Sequence, residues 1–244
     1  MKHIYEFENF IPTKDADFVD LCNELISESE IWRINKNSIT RNPPSLTISV
    51  DSDIEQDAQF DAFESDLSDI FIDIRKEETE DREYKGTLAH ELTHAVQFIA
   101  NGGELDLFIG DITRELSGLS DSDIWENLML GIYLSDPIEE EAWESEIPWF
   151  VPETLRTMTE WMGRFNPSDY ANRLRELNFE PNDFHFESAD ELPDLWVSIY
   201  KNYHEHKKTD PVILRLLKSD LVEFLEYFNV KFKNFHRRIS PKLN

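Results

Sequence analysis

The stretch GTLAHELTHAVQF, residues 86–98, constrains the fold more than any other part of the chain. At about 100° per residue, its apolar side chains form one helical stripe that needs a core to cover it. The stripe consists of Leu88, Leu92, Ala95 and Val96, and Ile99 continues it. His90 and His94 share the roughly opposite face, because residues four apart project from one side of a helix. The stretch therefore predicts a core helix that carries a pair of imidazoles.

The same two histidines and Glu91 form an H-E-x-x-H pattern. Imidazoles at this spacing can each direct one ring nitrogen at a common zinc ion, which accepts such nitrogens at about 2.0–2.1 Å. Glu91 is then placed to act as a general base toward water. A catalytic zinc site also takes a third protein ligand. The alternative is two histidines without a metal, on the surface or in the core.

The third ligand is sought in SDPIEEEAWESE, residues 135–146, because no further histidine follows at the short spacing of a three-histidine site. Ile138, Ala142 and Trp143 define the inward arc of a helix in this stretch, and Glu139 falls inside that arc. A carboxylate on a buried helix face costs several kcal/mol unless it is paired or binds a metal. Glu139 is therefore the predicted third ligand.

The other acidic residues of the stretch have weaker cases. Glu140, Glu141 and Glu144 fall outside the inward arc and are expected on a solvated face. Glu146 shares that arc one turn farther along, which makes it a possible outer partner for a histidine ligand. Glu141 and Glu146 are the candidates for an outer partner of a ligand or for a substitute ligand.

HELTHAVQ followed by DPIEEEAW resembles the zincin superfamily of zinc metallopeptidases, in the gluzincin-like arrangement with a downstream helical glutamate. The E-x-x-A pattern from Glu139 to Ala142 is similar to the third-ligand helix of the prenyl-protein endopeptidases and of the proteases that cleave phage repressors. Those families have Asp or Asn after the alanine, where this chain has Trp143. The layout also resembles small metallopeptidases encoded by bacteriophages. The resemblance is confined to residues 84–146.

The resemblance implies a zinc-dependent peptidase in which His90, His94 and Glu139 hold Zn²⁺. Glu91 would accept a proton from the attacking water and pass it to the leaving amine. By the same analogy the strand before the metal-binding helix, DIFIDIR, would be the edge strand that pairs with an extended substrate. The candidates for the donor that stabilises the oxyanion are Tyr133, His185, His204 and His206.

The remaining patterns predict an α+β fold with a small N-terminal β-sheet and a mostly helical C-terminal half. Alternating or β-branched runs predict strands in HIYEFENFI, PPSLTISV and DLSDIFIDIR. Helical spacing and capping residues predict helices in DADFVDLCNELI, SDSDIWENLMLGIYL, DPIEEEAWESE, PETLRTMTEWMGRF, SDYANRLRELNF, ELPDLWVSIYKNY and PVILRLLKSDLVEFLEYFNVKF. We expect one zincin-like domain over residues 1–244, with the sheet and metal-binding helix in 1–104 and the third ligand in the helical part, 105–244.

The net charge of −27 favours cationic partners and argues against nucleic acid, since phosphate binding needs Lys and Arg. Residues 1–200 carry 14 basic and 46 acidic side chains, whereas residues 201–244 carry 10 and 5. The expected partner is a peptide or protein substrate, and acidic stretches on both sides of the motif favour a basic one. The alternative function is a non-catalytic, acidic zincin-like binding or decoy protein that engages a basic partner.

The sequence also suggests where the protein works. Its single cysteine, Cys22, excludes a disulfide within the chain and suits a reducing compartment. The first residues lack the apolar region of a signal peptide, and no apolar run is long enough to span a bilayer. We therefore expect a soluble cytoplasmic protein that does not enter membranes.

Overall fold

The computed structural model describes residues 15–51, 58–62, 69–75, 81–103, 105, 123–176 and 221–243. The chain divides into two compact units. The first unit comprises Met1–Asp106 and Pro137–Pro152, and the second comprises Leu107–Asp136 and Glu153–Asn244. The segment that contains Glu139 therefore belongs to the same unit as the sheet. The single domain expected over residues 1–244 stays a prediction.

The described residues form a mixed α+β structure, so the predicted fold class is confirmed at that level. The strands are β1 (Asp15–Ala16), β2 (Ser45–Asp51), β3 (Ala58–Ala62) and β4 (Asp69–Arg75). The helices are α1 (Phe18–Leu25), α2 (Glu30–Arg41), α3 (Asp81–Ala100), α4 (Asp123–Leu134), α5 (Pro137–Glu146), α6 (Glu153–Arg164), α7 (Pro167–Glu176) and α8 (Leu221–Ile239). A short 3₁₀ helix, Ser240–Lys242, follows α8.

Two helices precede β2 in the first unit. The Asp17 side chain accepts hydrogen bonds from the backbone N–H groups at the start of α1, and the apolar face of this helix is buried as its spacing predicts. The second helix, α2, was not predicted. It is capped by Ser29, whose hydroxyl accepts from the Trp32 N–H at 3.1 Å, and it buries only Trp32 and Ile39. Because so few of its residues are apolar, its periodicity is weak in the sequence.

The sheet is ordered β1-β2-β4-β3. Strand β4 is parallel to β2 on one side and antiparallel to β3 on the other. The two predicted strands β2 and β4 are confirmed, and their buried face, with Ile70, Ile72 and Ile74 of β4, joins the core with α1, α2 and α3. HIYEFENFI lies outside the described residues.

The prediction that DIFIDIR is the edge strand is wrong. These residues are β4, which has a partner strand on each side, and β3 occupies the edge of the described sheet. The sequence of β3, AQFDA, is short and lacks β-branched residues, so its pattern did not indicate a strand. Once β3 pairs with β4, the strand nearest in sequence to α3 becomes an internal one.

In the second unit, α4, α6, α7 and α8 pack around aromatic side chains. The ring of Phe232 on α8 lies 5.6 Å from Trp161 and 5.0 Å from Phe165, centroid to centroid. Lys233 donates to the main-chain oxygens of Met162, Gly163 and Phe165 at the end of α6. The predicted helices at α4, α6 and α7 are confirmed, and the last predicted helix is confirmed from Leu221 onward. ELPDLWVSIYKNY lies outside the described residues.

Over the part of the chain that the structure describes, no helix combines the length and apolar character that a membrane span requires.

Candidate metal centre

Helices α3 and α5 bring together His90, His94 and Glu139, all three of them buried. The Nε2 atom of His90 lies 3.5 Å from Oε2 of Glu139, and Nε2 of His94 lies 3.6 Å from Oε1 of the same carboxylate. One ligand atom from each residue lies within 4.8 Å of the others. The three side chains chosen from the sequence therefore form a group that could hold a metal ion.

The spacing of these atoms fits a shared metal ion better than direct pairing. The separations of 3.5 and 3.6 Å are longer than hydrogen bonds between such groups, which are about 2.7–3.2 Å. Ligands of one tetrahedral zinc ion, each about 2.0–2.1 Å from it, are about 3.3 Å apart. Oε2 of Glu139 is buried and has no hydrogen-bond partner among the described residues. This donor set therefore fits a metal ion, which would satisfy that oxygen.

The interface between the two helices is held by small side chains. The hydroxyl of Thr93 on α3 lies 2.8 Å from that of Ser145 on α5, and the Ser145 hydroxyl lies 3.0 Å from the main-chain oxygen of Ala89. All of these atoms are buried, so they are satisfied by one another instead of by water. This contact packs α5 against the part of α3 that contains His90 and His94.

The side chains of Glu146 and Trp143 lie next to the His90 ring. Its Nδ1 lies 3.2 Å from Oε2 of Glu146, although the approach does not meet the angle of a good hydrogen bond. Trp143 packs edge-on against the imidazole, with ring centroids 4.7 Å apart. A carboxylate on Nδ1 keeps the proton there and leaves the Nε2 lone pair for a metal. Glu146 thus lies where an outer partner of His90 would lie, while Trp143 contributes packing.

His94 has an amide partner that the sequence did not indicate. Its Nδ1 lies 2.9 Å from Oε1 of Gln97, one turn farther along α3. The amide nitrogen of Gln97 donates to the main-chain oxygen of Ile138 at 2.9 Å and to Oε2 of Glu141 at 3.1 Å. Glu141 is therefore linked to His94 through Gln97 and is not part of the metal-binding group. The available signal was the i,i+3 spacing of His94 and Gln97, which places both on one face.

Glu91 is buried, and its carboxylate accepts a hydrogen bond from the backbone N–H of Phe60 on the edge strand β3. Burial raises the pKa of Glu91, while the charges of His90 and His94 oppose that rise. A raised pKa suits a carboxylate that must take up and release a proton near neutral pH. The predicted general base thus interacts with both histidines and with the backbone of β3.

The metal-free group carries strongly shifted pKa values. Burial alone would lower the pKa of His90, but its contacts with Glu139 and Glu146 and the charge of Glu91 raise it to about 10. Burial would raise the pKa of Glu139, but the two histidines hold it well below its usual range. Both shifts favour the charged forms of His90 and Glu139 in the metal-free site. A metal ion would replace the proton as the positive charge.

One expectation for α5 is wrong. The sequence predicts Glu140 on a solvated face, but it is only 7% exposed. The helical wheel assumed that α5 is covered along one side, whereas Glu140, about 100° around the helix from Glu139, is also shielded from solvent. Glu141 and Glu144 are partly exposed. Burial alone therefore does not distinguish Glu139 from Glu140. The two residues differ because the carboxylate of Glu139 faces the two histidines.

The candidates for the oxyanion donor are not among the described residues of the first unit. Tyr133 lies in α4, which belongs to the second unit. His185, His204 and His206 lie outside the described residues. The acidic stretch EETEDRE is described only from Asp81 onward. The choice of an oxyanion donor and the acidic rim both stay predictions.

Gly86 is predicted to be required for the position of Glu146. A Cβ at this residue would lie 3.0 Å from Cγ of Glu146 and 3.1 Å from Cβ of Phe150, which is tighter than ordinary contact. Gly86→Ala should therefore push Glu146 away from His90, lower the free energy of unfolding by about 1–3 kcal/mol, and weaken metal binding by about 10-fold. Denaturant unfolding and titration with Zn²⁺ against a chromophoric chelator measure the two effects.

Gly163→Ala is the matched control for this prediction. A Cβ there would crowd the His236 ring at 2.8 Å in the second unit, so stability should fall without a specific loss of metal affinity. Equal loss of affinity in both variants would contradict a specific role for Gly86.

Comparisons of this chain with protein-family models, with curated proteins and with solved structures returned no match.

Proposed function

We propose that this protein is a zinc-dependent peptidase that hydrolyses peptide bonds with Glu91 as general base. The observation that carries the proposal is the convergence of two imidazole Nε2 atoms on one buried carboxylate, with Glu91 next to the first histidine. A purely structural site would have no use for a buried, ionisable general base beside its ligands. Catalysis accounts for all four side chains together.

Zinc is the metal that suits this donor set. Two imidazoles and one carboxylate make up one of the ligand sets of catalytic zinc sites, in which the fourth position stays open. Softer metals prefer thiolates, and the one cysteine, Cys22, is buried in the core with α1. Magnesium and calcium prefer sites made of oxygen ligands alone.

The residues of the site would then have separate roles. A zinc ion would supply Lewis-acid polarisation of the scissile carbonyl and of water. Glu91 accepts the proton of the attacking water and returns it to the leaving amine, for which its burial-raised pKa is suited. Gln97 would keep the ring proton of His94 on Nδ1, and Glu146 lies where a partner for Nδ1 of His90 would lie. The outer side of β3, the last strand of the described sheet, is where an extended substrate would add as a further strand.

The metal content of the purified wild-type protein tests the proposal directly. We expect about one zinc per chain by elemental analysis, as one three-ligand site requires. A pool of quenched fluorescent peptides with central Lys or Arg should be cleaved, cleavage should stop on chelation, and zinc should restore it. A matched pool with Asp or Glu at those positions tests the preference for basic substrates. A wild-type protein that takes up no zinc would exclude this function.

The alternative, a non-catalytic acidic protein that engages a basic partner, is supported by the charge of −27. It predicts binding of basic peptides with no cleavage, whether or not zinc is present. The pool of basic peptides and the pool of acidic peptides distinguish the two functions. A decoy protein would bind the basic peptides and leave them uncleaved.

A further inference from the structure

The side chain of Gln97 connects α3 and α5, the two helices that carry the metal-binding group. It is 2% exposed and uses every hydrogen-bonding group that it has. Its oxygen faces Nδ1 of His94, and its nitrogen donates to Ile138 and Glu141 on α5. Ile138 and Glu141 lie on either side of Glu139 in the sequence. Gln97 thus contacts one histidine ligand and the turn of helix that carries the carboxylate ligand.

The amide of Gln97 can take only one orientation here. If it were flipped, its oxygen would face the Ile138 carbonyl and the Glu141 carboxylate, which are both acceptors. With the orientation set in this way, Oε1 must accept, and Nδ1 of His94 must carry the proton. The lone pair of His94 is then on Nε2, the nitrogen that faces Glu139. The contacts on α5 therefore determine the tautomer of a histidine on α3.

A glutamate at this position could not do the same. It would have no donor for the Ile138 oxygen, and it would bring a further negative charge next to Glu141. A neutral amide is the one side chain of this length that accepts from the imidazole and donates to both groups on α5.

We propose that Gln97 is the positioning residue of the metal centre, which holds His94 as the Nδ1–H tautomer and fixes the turn bearing Glu139 opposite it. The inference rests on the proposed metal centre, but its effect on His94 is a property of the metal-free protein as well. The side chain acts through His94 and the main chain of α5, and it touches neither substrate nor metal.

The test uses Gln97→Met, which keeps the length of the side chain and removes its hydrogen bonds. Zn²⁺ affinity, measured by competition with a chromophoric chelator, should fall about 10–100-fold, the range typical for lost partners of metal ligands. Thr159→Val is the control, because Thr159 is equally buried and its hydroxyl is also hydrogen-bonded, but it lies on α6 in the second unit. It should lose less than about 3-fold in affinity even if stability falls.

An exchange of side chains separates the two roles of Gln97. Gln97→Glu alone should weaken Zn²⁺ binding, because the new carboxylate faces Glu141. The carboxylate at position 97 can still accept from His94, and adding Glu141→Gln restores a donor between positions 97 and 141, so most of the affinity should return. If the double variant binds no better than Gln97→Glu, the connection through residue 141 is wrong.

Nitrogen NMR of the His94 ring in the metal-free protein completes the test. In its neutral form, the His94 ring of the wild type should be the Nδ1–H tautomer, and Gln97→Met should show the Nε2–H tautomer in substantial proportion. Unchanged tautomer and unchanged zinc affinity in Gln97→Met would overturn the inference. If the wild type binds no zinc, the proposed function fails, and the tautomer alone then decides whether Gln97 positions His94.

Discussion

Glu139→Gln should lower the zinc affinity by more than about 100-fold, since even the loss of an outer partner of a ligand costs about 10–100-fold. The substitution keeps the volume of the side chain but replaces one carboxylate oxygen with an amide nitrogen, which cannot bind a metal. The carboxylate is the only acidic group that contacts Nε2 of both histidines among the described residues. Competition with a chromophoric chelator measures the loss.

Glu140→Gln is the matched control, because it makes the same change at the neighbouring buried acid, which is not part of the metal-binding group. It should leave the zinc affinity within about 3-fold of that of the wild type. Equal losses in the two variants would mean that charge near the site, and not ligation by Glu139, determines the affinity.

The metal-free Glu139→Gln protein gives an independent measure. Burial lowers the pKa of His90, and the contact with Glu139 is the largest of the effects that raise it to about 10. Without that carboxylate the pKa of His90 should fall, so His90 should lose its proton at a lower pH than in the wild type. Ring-proton NMR against pH measures the shift. An unchanged titration would mean that Glu139 does not contact His90.

Glu91→Gln should abolish cleavage while leaving about one zinc per chain. General base catalysis contributes about 10²–10⁴-fold to a rate, and glutamine cannot accept the proton. Glu91 is not part of the group formed by His90, His94 and Glu139, so metal affinity should not change by more than about 3-fold. Cleavage of the basic peptide pool and elemental analysis of the same preparation measure both quantities.

Glu160→Gln, on α6 in the second unit, controls for the loss of one acid outside the predicted acidic rim. It should retain both zinc and activity. Cleavage at the wild-type rate by Glu91→Gln would remove Glu91 from the mechanism, whereas loss of zinc together with activity would mean that Glu91 supports the site and does not act on substrate.

Patterns that depend on neighbours in the chain were accessible from the sequence. The apolar stripe and the paired histidines of α3 follow from its 3.6-residue period, and the buried faces of β2 and β4 follow from alternation. The choice of Glu139 rested on its position relative to Ile138 and Ala142 in a single helix. Each of these inferences needed only the geometry of one element.

Features that depend on pairing between elements were not accessible. The sheet edge was assigned to the wrong strand, because β3 has little strand signal and gains its structure by pairing with β4. Glu140 was expected in solvent, because a wheel does not show what covers the second side of α5. The role of Gln97 was missed, because its partners Ile138 and Glu141 are 41 and 44 residues away.

The sequence by itself determined which side chains share a face: His90 with His94 on α3, and Glu139 with Ala142 and Glu146 on α5. Only the tertiary structure decided that these two faces meet, with the carboxylate 3.5 and 3.6 Å from the two imidazoles. It also decided that Gln97 and Glu146 lie behind the histidines. The physical reason is that helical periodicity acts over four residues, whereas the approach of α3 and α5 depends on the contacts of Gly86, Thr93 and Ser145.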